Sequence, residues 1–118
     1  MDFSYKLSTE LELYQKVGNR VKEAMSANSF TVLSLAKRLE DECVFQSHYT
    51  ARDFVVDLRN GYIGLLIGKS IQRGKAKAKD NLERLAYIFS TVGISSDDEA
   101  VKIVRETNPG FIYPLKID

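Results

Sequence analysis

Apolar residues recur along this chain at intervals of three and four, and strand-like alternation is almost absent. The spacing predicts about five helices. Thr9 with Glu12 reads as a capping box opening the first, with Tyr14, Val17, Val21 and Ala24 or Met25 as its apolar stripe. Gly18 interrupts its propensity but not its pattern. Asn28 or Ser29 caps a second helix, with Phe30, Leu33, Leu35 or Ala36, and Leu39 inward. Residues 43–49 continue as a bent or separate short helix. Thr50 with Asp53 starts a third, running to about residue 70 and carrying Phe54, Val55, Leu58, Tyr62, Leu65, Leu66 and Ile67. Apolar on more than one side, it belongs at the centre. Gly74 breaks the chain. A fourth helix from about Lys79 turns Leu82, Leu85, Ala86, Phe89 and Val92 inward and ends at Gly93 as its C′ residue. Ser96 with Glu99 opens a fifth, which Asn108-Pro109-Gly110 ends. The tail FIYPLKID is too apolar to stand free and packs as an extended segment, with Pro114 barring a central strand position. The expectation is one all-α domain over residues 1–118, packed around a central glycine-bearing helix at about 51–70.

That central stretch, DFVVDLRNGYIGLLIG, carries the most specific pattern. Gly61, Gly64 and Gly68 fall at i, i+3 and i+7, so in one helix they share a face, and Asp57 joins it from four residues upstream. Glycine costs roughly 1 kcal/mol against alanine inside a helix. Three on one stripe point to a close neighbour, either a crossing helix or a ligand. These glycines are the candidate interaction face.

Composition changes this picture little. The chain has 118 residues, 44% of them hydrophobic and 28% charged, and a formal net charge of +1, which selects no bulk partner of either sign. One cysteine forms no internal disulfide and suits a reducing, cytoplasmic compartment. The start MDFSYKLSTE is acidic and lacks an apolar core, so it reads as no signal peptide. Asp57, Arg59 and Asn60 interrupt the longest apolar stretch, so no membrane span is expected.

Three sets of residues invite chemistry. Asp57 and Asn60 on the rim of the glycine face, with His48, form a candidate catalytic group in which Asp57 is a general base or positions a ligand. Lys69, Arg73, Lys75, Lys77 and Lys79 lie within eleven residues with no acid among them, as phosphate neutralisation requires. No aromatic residue interleaves them, so a solvated face is the simpler reading and nucleic acid is disfavoured. Cys43 and His48, five residues apart, are poorly spaced for a thiolate–base pair on one helix. No metal-ligand spacing or phosphate-cradling loop is present, so neither metal nor cofactor is expected.

Residues 57–68, DLRNGYIGLLIG, resemble a motif of an uncharacterised bacterial helical domain found at the ends of surface and polymorphic-toxin-like proteins. Asp57, Leu58, Asn60, Gly64, Ile67 and Gly68 match it. The family's upstream Ala-His-Glu element has His48 at a matching distance, but Tyr49 stands in place of its Glu, and Arg59 replaces the motif His. Its earlier Arg-His pair has no counterpart near residues 25–28. The resemblance implies a similar helical core that has lost most of that family's active-site groups. The expectation is a non-catalytic helical protein-interaction module of the immunity, inhibitor or phage-accessory kind, with another protein as partner. An enzyme around Asp57, Asn60 and His48, and nucleic-acid binding through Lys69–Lys79, are the alternatives.

Overall fold

Six α-helices make up the secondary structure of this computed structural model, which describes residues 3–45, 48–68 and 80–114. Side chains are described for residues 10–45, 50–67 and 80–114. The all-α architecture is the one the apolar spacing predicts, with no strand among the described residues. The helices are α1 (Phe3–Ala27), α2 (Val32–Asp41), α3 (His48–Arg59), α4 (Ile63–Gly68), α5 (Asn81–Thr91) and α6 (Glu99–Thr107). Helix α3 is the hub, packed against α1, α2 and α4, while α1 also packs on α6 and α4 on α5.

The third predicted helix is two helices. Asn60 and Gly61 stop it, and Gly61 has φ +79°, the left-handed conformation that glycine adopts without Cβ strain. The Tyr62 amide donates to the Asp57 carbonyl at 2.9 Å and the Gly61 amide to the Leu58 carbonyl at 3.0 Å, the two bonds of a Schellman motif. The three glycines therefore do not share one helical face. The break also turns Tyr62 and Leu65 outward, while Leu58, Ile63 and Leu66 stay buried.

The same cap recurs three times. Helices α1, α2 and α5 end with left-handed residues at Ser29, Cys43 and Gly93, each followed by the same pair of amide–carbonyl bonds. The next residues, Phe30, Val44 and Ile94, then pack into the core cluster. Only Gly93 is a glycine, as expected from the sequence. Ser29 and Cys43 hold positive φ with a Cβ attached, at a cost of about 1–2 kcal/mol.

Helix starts differ from the sequence expectations, because capping patterns tolerate a helix running through them. Helix α1 begins six residues before Thr9, at Phe3, and α3 begins at His48 rather than Thr50. The cap of α2 is Thr31, whose hydroxyl accepts the Ser34 amide while the Ser34 hydroxyl accepts the Thr31 amide. Asp80 caps α5 and Asp98 caps α6, at 2.8 Å and 3.0 Å from the amides they accept. Leu33, expected inside, is exposed.

Polar links fix the helices to one another. The second carboxylate oxygen of Asp98 accepts the Arg20 Nε–H at 2.8 Å, joining α1 to the start of α6. Asn28 donates to the Val92 carbonyl at 2.8 Å, joining the ends of α1 and α5. The tail packs as predicted as far as it is described. Phe111 and Tyr113 are buried edge-on against Phe89, Arg105 donates to the Tyr113 carbonyl at 3.0 Å, and the Tyr113 hydroxyl donates to the Ile94 carbonyl. Residues 115–118 lie outside the described residues.

Two outcomes follow. Cys43→Gly removes the left-handed strain at an exposed position, and is expected to raise the urea unfolding free energy by about 1 kcal/mol at unchanged m-value. No gain would mean that the α2 turn is not under strain. Burial first, and the nearby Asp98 charge second, hold the Tyr113 phenol above its ordinary 10.0. The unfolded chain thus ionises this tyrosine at a lower pH than the folded one. Its contribution is fully present below pH 10 and is lost as pH rises further. Unfolding measured from pH 8 to 11 should show a steeper alkaline decline in the parent than in Tyr113→Phe. That variant should itself lose about 1 kcal/mol at neutral pH with its hydrogen bond.

Candidate functional site

Helix α1 and the C-terminal turn of α3 meet backbone to backbone. A Cβ at Gly18 would sit 2.6 Å from the Arg59 carbonyl oxygen and 2.9 Å from the Gly61 nitrogen and the Leu58 oxygen. Reciprocally, a Cβ at Gly61 would sit 3.0 Å from Gln15 Cα and 3.1 Å from the Tyr14 oxygen. Each chain thus fills the space where the other lacks a side chain. Tight helix crossing, one of the two readings of the glycine pattern, holds at Gly61, with Gly18 rather than Gly64 as its counterpart.

The crossing throws α4 out alongside α1 and leaves a groove between them. Glu10, Leu11 and Tyr14 of α1 form one wall, and Gly61, Tyr62, Gly64 and Leu65 form the other wall and the floor, around about 310 Å³. Its lining is overwhelmingly apolar, with Glu10 the one ionisable chain besides the tyrosine hydroxyls. Gly64 is open to it: a Cβ there meets only Tyr14 Cε2, at 4.0 Å. Leu11, Tyr62 and Leu65 are 60%, 51% and 58% exposed, so half of the six large exposed apolar side chains among the described residues gather at this one place. Singly exposed apolar residues are ordinary, whereas a contiguous group marks a binding surface. Tyr14 is held from behind, its hydroxyl accepting the Asn108 amide at 3.4 Å.

The other sequence candidates fall elsewhere. Gly68 is the last residue of α4, and its surroundings lie outside the described residues. His48 is the first residue of α3, whereas Asp57 and Asn60 lie at its far end. Asp57 is nine helical steps beyond His48, a rise of about 13.5 Å. Asp57 is partly buried and Asn60 exposed. The side chain of His48, and the whole stretch Lys69, Arg73, Lys75, Lys77 and Lys79, lie outside the described residues. Among the described residues no three His, Cys, Asp or Glu side chains are grouped as metal ligands, and no helix is long and apolar enough to cross a membrane. A second cleft, about 240 Å³ between α1 and α6, is lined mainly by polar and charged residues, the Arg20–Asp98 pair among them.

Sequence reasoning missed Leu11 and Gly18. Both lay one helical turn from Tyr14, at i−3 and i+4, a spacing that places all three on adjoining faces. No known protein-family model matches the chain, and neither a curated protein nor a solved structure matches it. The resemblance of residues 57–68 to the bacterial helical domain therefore rests on those residues alone.

The open floor has a measurable consequence. Gly64→Leu should fill the groove at a stability change below about 1 kcal/mol, because the new side chain meets one flexible ring edge rather than backbone. Urea unfolding checks this. A loss of several kcal/mol would show the groove to be closed in solution.

Proposed function

We propose that the protein is a small helical interaction module, without catalysis of its own, that seats an amphipathic helix of a partner protein in the α1–α4 groove. The observation that carries this is the apolar groove floored by Gly64 and rimmed by Leu11, Tyr62 and Leu65. A glycine floor lets a partner's backbone or ridge of side chains come close, which is how helices lie in grooves. Three half-exposed apolar chains fall short of the roughly 800 Å² per partner of a standard interface between folded proteins. A single helical segment matches that scale better than a second domain. Glu10 is the charge at the groove, so the segment carries a basic residue at its flank. Immunity proteins, inhibitors and phage accessory factors work by such surface complementarity. We place the module in the cytoplasm, where the lone exposed Cys43 stays reduced.

Selection from a displayed random-peptide library tests the reading. Enriched peptides should carry apolar anchors at i, i+3 or i+4, and i+7, with a flanking Lys or Arg. Leu65→Lys and Gly64→Leu, each confirmed as folded by circular dichroism, should weaken them at least about tenfold, or ~1.4 kcal/mol. Peptides that bind both variants as well as the parent, or a selection that enriches nothing, would overturn it.

A further inference from the structure

Arg84 is buried in the protein interior with no acid paired to it among the described residues. It lies in the second turn of α5, is 3% exposed, and is one of two buried polar or charged residues among those described. Its guanidinium carbon sits 4.4 Å from the centroid of the Phe45 ring. Phe45 is itself fully buried and packs edge-on against Phe54 at 5.2 Å. Nη1 makes one long hydrogen bond, 3.4 Å, to the Asn81 side-chain oxygen. Asn81 in turn donates to the Leu66 carbonyl at 2.7 Å, so the guanidinium lies where the chain beyond α2 at Phe45, the last turn of α4 and the start of α5 meet. Nε is sealed from solvent and has no hydrogen-bond partner. No ion pair reaches Arg84 among the described residues. Positions 46–47 and 69–79 of the sequence contain no Asp or Glu.

Arginine is almost never fully buried without a partner. Cation–π stacking returns at most about 2 kcal/mol, against a desolvation cost of several. A well-packed apolar chain serves such a position at least as well. The retained cation therefore points to an anion. We infer that Arg84 is the receptor for a small oxyanion, a carboxylate or a phosphate group, taken by the Nε–Nη2 edge of its guanidinium. With Nη1 turned to Asn81, that edge presents two parallel N–H groups at the spacing of two oxygens on one carbon or phosphorus atom. Phe45 fixes the plane of the fork and Asn81 its rotation. This site is separate from the α1–α4 groove and does not depend on the function proposed for it.

The test is a titration of the intact protein with inorganic phosphate, and separately with acetate, at constant ionic strength and pH. The readout is the Arg84 Nε–Hε resonance, identified by its loss in Arg84→Lys. A saturable shift is expected with at least one anion, and which anion produces it separates the phosphate source from the carboxylate source. The thermal midpoint of the parent should rise with the same anion. Arg84→Met should not respond, and Arg84→Lys, a point charge without a fork, should bind at least about tenfold more weakly. Should Arg84→Met fail to fold, the resonance of the parent decides alone. A resonance unmoved by both anions, or a midpoint response that Arg84→Met retains, would overturn the inference.

Discussion

The backbone contact between α1 and the C-terminal turn of α3 governs the rest of this structure. Gly18 and Gly61 face each other where any side chain would meet main-chain atoms at 2.6 to 3.1 Å. Main chain cannot swing aside as a side-chain end can, so the crossing has one geometry. Two further links run from the same stretch of α1. Arg20, two residues beyond Gly18, grips Asp98 at the head of α6, and Tyr14, four residues before it, accepts from Asn108 at the foot of α6. Helix α6 is thus held at both ends by residues that the crossing positions.

The groove is a by-product of the same contact. Gly61 is both the close-approach residue and the left-handed cap of α3, so a single residue fixes how near the helices come and where α4 points. Had α3 run on straight, Tyr62 and Leu65 would have stayed on the inward stripe. The turn sends them to the rim and leaves Ile63 and Leu66 to fill the core. The floor at Gly64 is open because a Cβ added there would meet only the Tyr14 ring edge, at 4.0 Å.

Much of the fold was legible in the sequence, for definite reasons. The stripes Tyr14, Val17, Val21 and Leu85, Ala86, Phe89 are buried as their spacing required, and Gly93 caps α5 as its position after Val92 required. The break at Asn60-Gly61 was legible in principle, since Asn-Gly is a turn signal. The apolar residues on both sides masked it by continuing a helical pattern across the turn. Ser29 and Cys43 gave no signal, because nothing in a serine or a cysteine announces positive φ. The sequence grouped Gly61 and Gly64 on one face, but they separate in three dimensions, one closed against backbone and one open. Arg84 reads as a surface residue between Leu82 and Leu85. Its burial follows from Phe45, which is distant in sequence, and no local pattern contains that contact.

Gly18→Ala tests the central role of the crossing most directly. In a solvent-facing helix this change gains up to about 1 kcal/mol of helix propensity. Here the added methyl group meets three main-chain atoms within 2.9 Å, so the α1–α3 contact has to open. Overpacking of this kind costs about 1–3 kcal/mol or more. Urea unfolding should show a net loss of at least about 2 kcal/mol, since the helices can separate only by exposing core around Val17 and Leu58. A Gly18→Ala protein as stable as the parent, or more so, would contradict the account.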